Sequence, residues 1–90
     1  MMTNNEKNWF VYILKCSDQT LYTGVTTDLQ RRVEEHNSSK QGARYTAARR
    51  PVNLIYHENA ESRSAAQQRE HQIKSLSRPE KQQLIAAYKK

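Results

Sequence analysis

Five side chains in this sequence are of the types that carry out proton transfer, phosphate binding and metal binding: Tyr12, Tyr22, Arg32, His36 and Glu70. The planar guanidinium of an arginine matches the geometry of a phosphate group and stays protonated. A histidine with its ordinary pKa suits proton transfer near neutral pH, and a carboxylate holds divalent cations. Each residue taken alone is more typical of a structural position. Their significance depends on the elements that position them.

The first part of the chain predicts a β-hairpin. A continuous apolar and aromatic run, Trp9–Leu14, is typical of a strand that is covered on both faces. The polar residues 17–19 predict a turn, and residues 21–23 predict the second strand, which Gly24 ends. Because Gly24 has no Cβ atom, it lets another group approach the backbone closely.

The hairpin and the helix that follows it carry four of the five side chains. Tyr12 and Tyr22 lie on the two arms, and cross-strand neighbours are about 5 Å apart, so the two phenols are expected to meet on one face. Residues 29–37 predict a helix that begins after N-capping residue types. Arg32 and His36 lie four residues apart in this helix and therefore share a face.

The rest of the chain predicts one further strand, over residues 52–56, and two helices. The first helix is predicted over residues 60–76, and Glu70 lies near its buried side. Ser77 and Glu80 form a capping-box pattern that begins the last helix. The predicted fold class is α/β of the α+β kind: a small three-stranded antiparallel sheet flanked by helices, in the order β-β-α-β-α-α.

Length and composition limit the classes of protein that remain. The chain has 90 residues, which is one domain, with a core expected over about 9–85 and a short polar N-terminal tail. No apolar run is long enough to span a membrane, and the first residues lack the apolar stretch of a signal peptide. Cys16 is the only cysteine, which excludes an intramolecular disulfide and a cysteine zinc cluster and predicts a cytoplasmic location.

The formal net charge of +6 favours an anionic partner, and its distribution indicates nucleic acid. One short stretch, residues 40–50, combines positive charge with an aromatic ring, and we call it the basic segment. Its candidate nucleic-acid contacts are Lys40, Arg44, Tyr45, Arg49 and Arg50. A loop of this composition is able to hold several phosphates and to stack a base. A solvated loop without a partner is the alternative interpretation.

Several stretches together resemble the signature of the GIY-YIG nucleases. Val11–Tyr12 stands where the family has Ile-Tyr, Tyr22–Gly24 stands for Tyr-Ile-Gly, and residues 28–37 supply the helix that follows. The run Gly42–Thr46 is part of a likeness to the small stand-alone members, similar to the nuclease domain of the Slx-type structure-specific endonucleases. The resemblance covers roughly residues 9–85.

The resemblance implies a role for each of the five side chains. Arg32 matches the family's catalytic arginine, and His36 matches the histidine found one helical turn later. Glu70 matches the metal-binding glutamate, which implies Mg²⁺ or Mn²⁺ as the cofactor. One of the motif tyrosines is implied to position or deprotonate water; we favour Tyr12 for this role and Tyr22 for its support. The asparagine that many members carry near the C-terminus has no counterpart here.

The implied activity is that of a metal-dependent DNA endonuclease that hydrolyses phosphodiester bonds, in DNA repair or recombination. The sequence does not separate RNA from DNA as the substrate. A protein partner or a homodimer is a further source of specificity for so small a domain. The competing interpretation is a nucleic-acid-binding module that has this fold but little or no turnover. Both predict a basic surface, whereas only the first predicts metal-dependent cleavage.

The general base is the role that the residue types leave open. A phenol has an ordinary pKa of about 10, so Tyr12 is a poor base at neutral pH unless Arg32, a metal ion or Lys15 lowers that pKa. His36 is the competing base, because the ordinary histidine pKa of about 6.5 already suits the task.

Overall fold

One antiparallel sheet of three strands forms the centre of the fold, in a computed structural model that describes residues 8–38 and 44–88. The strands are β1 (Trp9–Lys15), β2 (Leu21–Thr26) and β3 (Asn53–Ala60). β1 is central, in the order β2-β1-β3, and both neighbours run antiparallel to it. The predicted fold class is therefore confirmed.

Helices account for most of the remaining described residues. They are α1 (Leu29–Ser38), α2 (Arg44–Ala47), α3 (Arg63–Lys74) and α4 (Arg78–Tyr88). Helices α1, α3 and α4 are the three predicted ones, so the order β-β-α-β-α-α is confirmed, while α2 is a single additional turn inside the basic segment. None of the helices within the described ranges has the length and hydropathy to cross a bilayer.

Gly24 lies inside the second strand and does not end it. β2 continues to Thr26, and Gly24 lies directly opposite Tyr12 in the register of β1 and β2. A Cβ atom on Gly24 would lie 2.5 Å from the phenol oxygen of Tyr12. Glycine is required here because the phenol lies against the backbone, which is the close approach that its lack of a Cβ predicted.

The third strand is longer than predicted, and the helix after it is shorter. Residues 58–60 pair with residues 9–11 of β1, so β3 extends to Ala60. Helix α3 consequently begins at Arg63, where the side chain of Ser62 accepts a hydrogen bond from the Ala65 backbone N–H at 3.1 Å. Pairing with a central strand overrides the weak strand propensity of these residues.

The capping box that predicts the start of α4 is present. The Ser77 backbone N–H donates to the Glu80 carboxylate at 2.8 Å, and the Glu80 N–H lies 3.3 Å from the Ser77 hydroxyl oxygen. This arrangement satisfies two N–H groups that a helix start otherwise leaves without partners.

Alternate residues of β1 divide the core into two layers. Val11 and Ile13 pack on the face covered by α3 and α4, together with Ala66, Ile73 and Ile85. Tyr12 and Leu14 pack on the opposite face with Leu29 and Val33 of α1. Because side chains alternate along a strand, the register of β1 directs Tyr12 towards the α1 layer.

Candidate active site

Tyr12 lies at the centre of the candidate site and is only 1% exposed. Its phenol oxygen lies 2.9 Å from Nε2 of His36. The Arg32 guanidinium also hydrogen-bonds to this oxygen. Burial raises the pKa of Tyr12 to about 12, and the opposing effect of Arg32 is smaller. The lowered pKa that would make Tyr12 a base is therefore not found in the resting protein, where the phenol keeps its proton at neutral pH.

His36 is fully buried and joins α1 to the basic segment. Its Nδ1 lies 2.7 Å from the hydroxyl oxygen of Thr46 in α2. Burial, helped by the positive charges of Arg32 and Arg50, lowers the pKa of His36 to about 4. The ring is therefore neutral at pH 7 and carries a proton on one nitrogen only. His36 is a weaker base than its ordinary pKa predicts.

Arg32 lies at the edge of the buried cluster, with 27% of its side chain exposed. Its Nη1 lies 2.8 Å from Oε1 of Glu35, three residues later in the helix. Burial opposes the charge of Arg32, but its hydrogen bonds to Glu35 and Tyr12 raise its pKa above the ordinary value. A permanently charged, partly exposed guanidinium beside the phenol is placed to receive a phosphate.

Glu70 lies on α3, and its negative charge makes a small contribution to the raised pKa of Tyr12. The side chain is 22% exposed, and its Oε2 lies 2.9 Å from the ammonium group of Lys74. Within residues 8–38 and 44–88, no group of three His, Cys, Asp or Glu side chains is placed to hold a metal ion. A single carboxylate suffices as a protein ligand for a hard divalent cation that completes its shell with water and phosphate oxygens.

Tyr22 connects the candidate site to the basic segment through its ring. The ring centre lies 6.5 Å from that of Tyr12 and 5.1 Å from that of His36, so the hairpin tyrosines do meet on one face. On another side, Tyr22 stacks with Tyr45 at 5.8 Å and an interplanar angle of 30°. The guanidinium carbon of Arg49 lies 4.0 Å from the centre of the Tyr45 ring. These contacts pack α2 against the candidate site.

The basic segment divides between residues that hold it in place and residues that face solvent. Arg49 donates to the Asp18 carboxylate at 2.9 Å and to the Tyr45 carbonyl at 2.8 Å. Arg50 donates to the carbonyl oxygen of His36 and is partly buried. Arg44 and Tyr45 are exposed. Lys40 lies outside the described residues.

The structure thus brings four of the predicted side chains together, Tyr12, Tyr22, Arg32 and His36, with Gly24 providing the space for the phenol. Glu70 is linked to them through the effect of its charge on Tyr12. Thr46 and Glu35 also contact these side chains, and the sequence alone had indicated no role for either. The signal for Glu35 was its position three residues after Arg32 in a predicted helix, which is a spacing that pairs opposite charges. Thr46 belongs to a stretch that was singled out for its likeness alone.

Known proteins that are similar to this chain agree with the family resemblance of its sequence. The GIY-YIG catalytic domain matches residues 8–83. A UPF0213 protein of Desulfotalea psychrophila is 56% identical over 82 residues, which are 91% of this chain and 74% of that protein. A UPF0213 protein of Bacillus halodurans, solved by solution NMR, is similar with a TM-score of 0.58 and 42% identity. The match covers 89% of this chain and 84% of that protein's chain. An E. faecalis protein, also solved by NMR, has a TM-score of 0.62 and 41% identity, with coverages of 96% and 91%.

Proposed function

The chain belongs to the GIY-YIG catalytic-domain family, and from that membership we propose that it is a metal-dependent DNA endonuclease that hydrolyses phosphodiester bonds. The observation that carries the proposal is the buried phenol of Tyr12, which lies 2.9 Å from His36 and is hydrogen-bonded by the charged guanidinium of Arg32. The Glu70 carboxylate, on a third element, acts on the same phenol through its charge. A cytoplasmic location, a role in DNA repair or recombination, and a protein partner or homodimer are further parts of the proposal that rest on the sequence.

Arg32 is proposed to bind the scissile phosphate. The guanidinium is held by Glu35 and Tyr12, so it loses little conformational freedom when a phosphate arrives. Its donors act where negative charge develops on the phosphoryl oxygens in the transition state. Exposed Arg44 and Tyr45 are proposed to contact the neighbouring backbone and bases.

Tyr12 and His36 are proposed to act together as a proton relay. As the water oxygen bonds to phosphorus and the bond to the leaving oxygen breaks, the water proton passes to the phenol oxygen of Tyr12. The phenol proton moves to Nε2 of His36, which lies 2.9 Å away. Because the pKa of His36 is about 4, protonating it at pH 7 costs about 4 kcal/mol. That cost is a minor part of the ~17 kcal/mol barrier of a reaction with one turnover per second.

Glu70 is proposed to hold a divalent cation, Mg²⁺ or Mn²⁺. Such an ion supplies positive charge that stabilises the phosphate and the leaving oxygen. The part of this chain is to offer one partly buried carboxylate whose charge acts on the phenol of Tyr12. Lys74 occupies one oxygen of that carboxylate in the resting protein.

A nucleic-acid-binding module is the second candidate function. The observation that favours it is the protonated phenol of Tyr12 next to a weakly basic His36, because neither group accepts a proton readily at neutral pH. The two functions share the exposed part of the basic segment and differ in turnover.

A cleavage panel tests the proposal. Plasmid, single-stranded, flap and branched DNA, with matched RNA strands, are incubated with Mg²⁺, Mn²⁺ or EDTA. Wild type is compared with Glu70→Gln and with the control Glu61→Gln, which changes an exposed glutamate in the turn before α3. Cleavage is expected with metal in wild type and Glu61→Gln only. Binding without cleavage supports the second candidate, and cleavage that survives both EDTA and Glu70→Gln refutes the assigned site.

A further inference from the structure

Thr46 is fully buried, although it lies on a single helical turn next to exposed residues. Its hydroxyl oxygen lies 2.7 Å from Nδ1 of His36, whose other ring nitrogen lies 2.9 Å from the phenol oxygen of Tyr12. Three side chains from β1, α1 and α2 therefore form one continuous hydrogen-bonded chain. At most 1% of any of the three residues is exposed, so solvent does not compete for these bonds.

One assignment of donors and acceptors gives every member of this chain a partner. A guanidinium has only donors, so Arg32 donates to the phenol oxygen of Tyr12. In the assignment that uses the phenol proton within the chain, that proton is donated to Nε2 of His36, which accepts it. The neutral ring has one N–H, which is left on Nδ1, and Nδ1 faces the Thr46 hydroxyl oxygen.

We propose that Thr46 is a positioning residue that fixes His36 in the tautomer with its proton on Nδ1, so that Nε2 is the nitrogen that accepts the proton of Tyr12. A group that holds the far side of an imidazole sets which nitrogen does the chemistry, as the carboxylate does in a serine–histidine–aspartate triad. The effect of Thr46 on cleavage rests on the proposed function, whereas the tautomer is a property of the resting protein.

The surroundings of Thr46 hold its hydroxyl at this position. The neighbouring Tyr45 ring stacks on Tyr22, and the Arg49 backbone N–H donates to the Thr46 carbonyl at 2.9 Å. After α2, the backbone of Val52 exchanges two hydrogen bonds with the side chain of Asn37 in α1, at 2.7 and 3.0 Å. These contacts hold the backbone in place both before and after Thr46.

Nitrogen-15 NMR of the histidine rings tests the tautomer directly. In the wild-type protein at pH 7, Nδ1 of His36 is expected to give the signal of a protonated nitrogen and Nε2 that of an unprotonated one. Thr46→Val should shift the ring towards a mixture of tautomers, whereas Thr46→Ser should retain the wild-type spectrum. The control is Thr23→Val, a buried threonine opposite Ile13 on the other face of the sheet. A proton on Nε2 in wild type, or an unchanged spectrum in Thr46→Val, overturns the proposal.

Cleavage kinetics on the same variants separate this proposal from the proposed function. Thr46→Val is expected to lower kcat about 10-fold at nearly constant KM, and Thr46→Ser to restore it, because the net worth of one supporting hydrogen bond corresponds to about a tenfold change. If the spectra change as predicted but wild type does not cleave nucleic acid, the positioning role stands and the nuclease function fails. If wild type cleaves and Thr46→Val cleaves equally well, Thr46 has no positioning role.

Discussion

Acid should destabilise this protein through one buried histidine. His36 is fully buried, and its pKa is about 4 in the folded chain against the ordinary 6.5. As the pH falls through 6.5, the unfolded chain binds a proton at this residue while the folded chain does not. The unfolded state is therefore favoured increasingly down to about pH 4. Above about pH 7.5 the histidine is neutral in both states and has no such effect.

The size of the effect follows from the two pKa values. Each tenfold difference in proton affinity is worth about 1.4 kcal/mol, so the full loss below pH 4 is about 3 kcal/mol. Between pH 7.5 and pH 5 the loss is about 2 kcal/mol. The free energy of unfolding of a small domain is typically about 5–15 kcal/mol, so protonation of His36 alone removes a large fraction of it.

Urea unfolding at pH 7.5 and pH 5 measures this loss. With a urea dependence of about 1 kcal/mol per molar, the wild-type midpoint should fall by about 2 M from this residue alone. His36→Gln should be less stable at pH 7.5, because it disrupts buried hydrogen bonds. Its free energy of unfolding should nevertheless depend less on pH, by about 2 kcal/mol over the same interval.

The matched control is His71→Gln, which changes an exposed histidine on α3. This variant should keep the wild-type pH dependence. If His36→Gln and wild type lose the same stability between pH 7.5 and pH 5, His36 is not a buried neutral ring, and the hydrogen-bonded chain through Tyr12 and Thr46 is wrong.

Three further experiments have definite expected outcomes. Gly24→Ala should cost about 1–3 kcal/mol in urea unfolding, because its Cβ atom meets the Tyr12 phenol at 2.5 Å; an unchanged midpoint would contradict that contact. Arg32→Lys should lower cleavage about 10–100-fold, since an ammonium cannot replace the planar fork, and equal rates would exclude a bidentate role. A double-mutant cycle of Arg69→Met with Glu58→Gln should give a coupling of about 0.5–1 kcal/mol for their 2.8 Å ion pair; zero coupling would show that solvent screens it.

The hairpin and the motif side chains could be predicted from sequence because both are local. The apolar run of β1, the polar turn and the helical spacing of Arg32 and His36 each depend on residues a few positions apart. The end of β3 could not be predicted, since Glu58–Ala60 become strand only by pairing with the far end of β1. Helix α2 is too short to form by propensity and depends on packing against the candidate site.

The pKa values of the candidate site could not be predicted from the sequence either, because they depend on burial in the folded protein. Residue types give ordinary pKa values, whereas burial raises the pKa of Tyr12 and lowers that of His36. Positive charge in the basic segment likewise predicted phosphate contacts, but Arg49 and Arg50 donate to Asp18 and to the backbone of His36. Which charges remain available depends on contacts between residues that are distant in the chain.

Single-turnover cleavage by Tyr12→Phe, with DNA affinity measured on the same samples, tests the central claim most directly. The control is Tyr56→Phe, a buried tyrosine that packs on the opposite face of the sheet. We predict that Tyr12→Phe binds DNA within about threefold of wild type and cleaves at least 100-fold more slowly, since proton transfer typically contributes about 10²–10⁴-fold. Tyr56→Phe should cleave at the wild-type rate. Near wild-type cleavage by Tyr12→Phe would contradict the account.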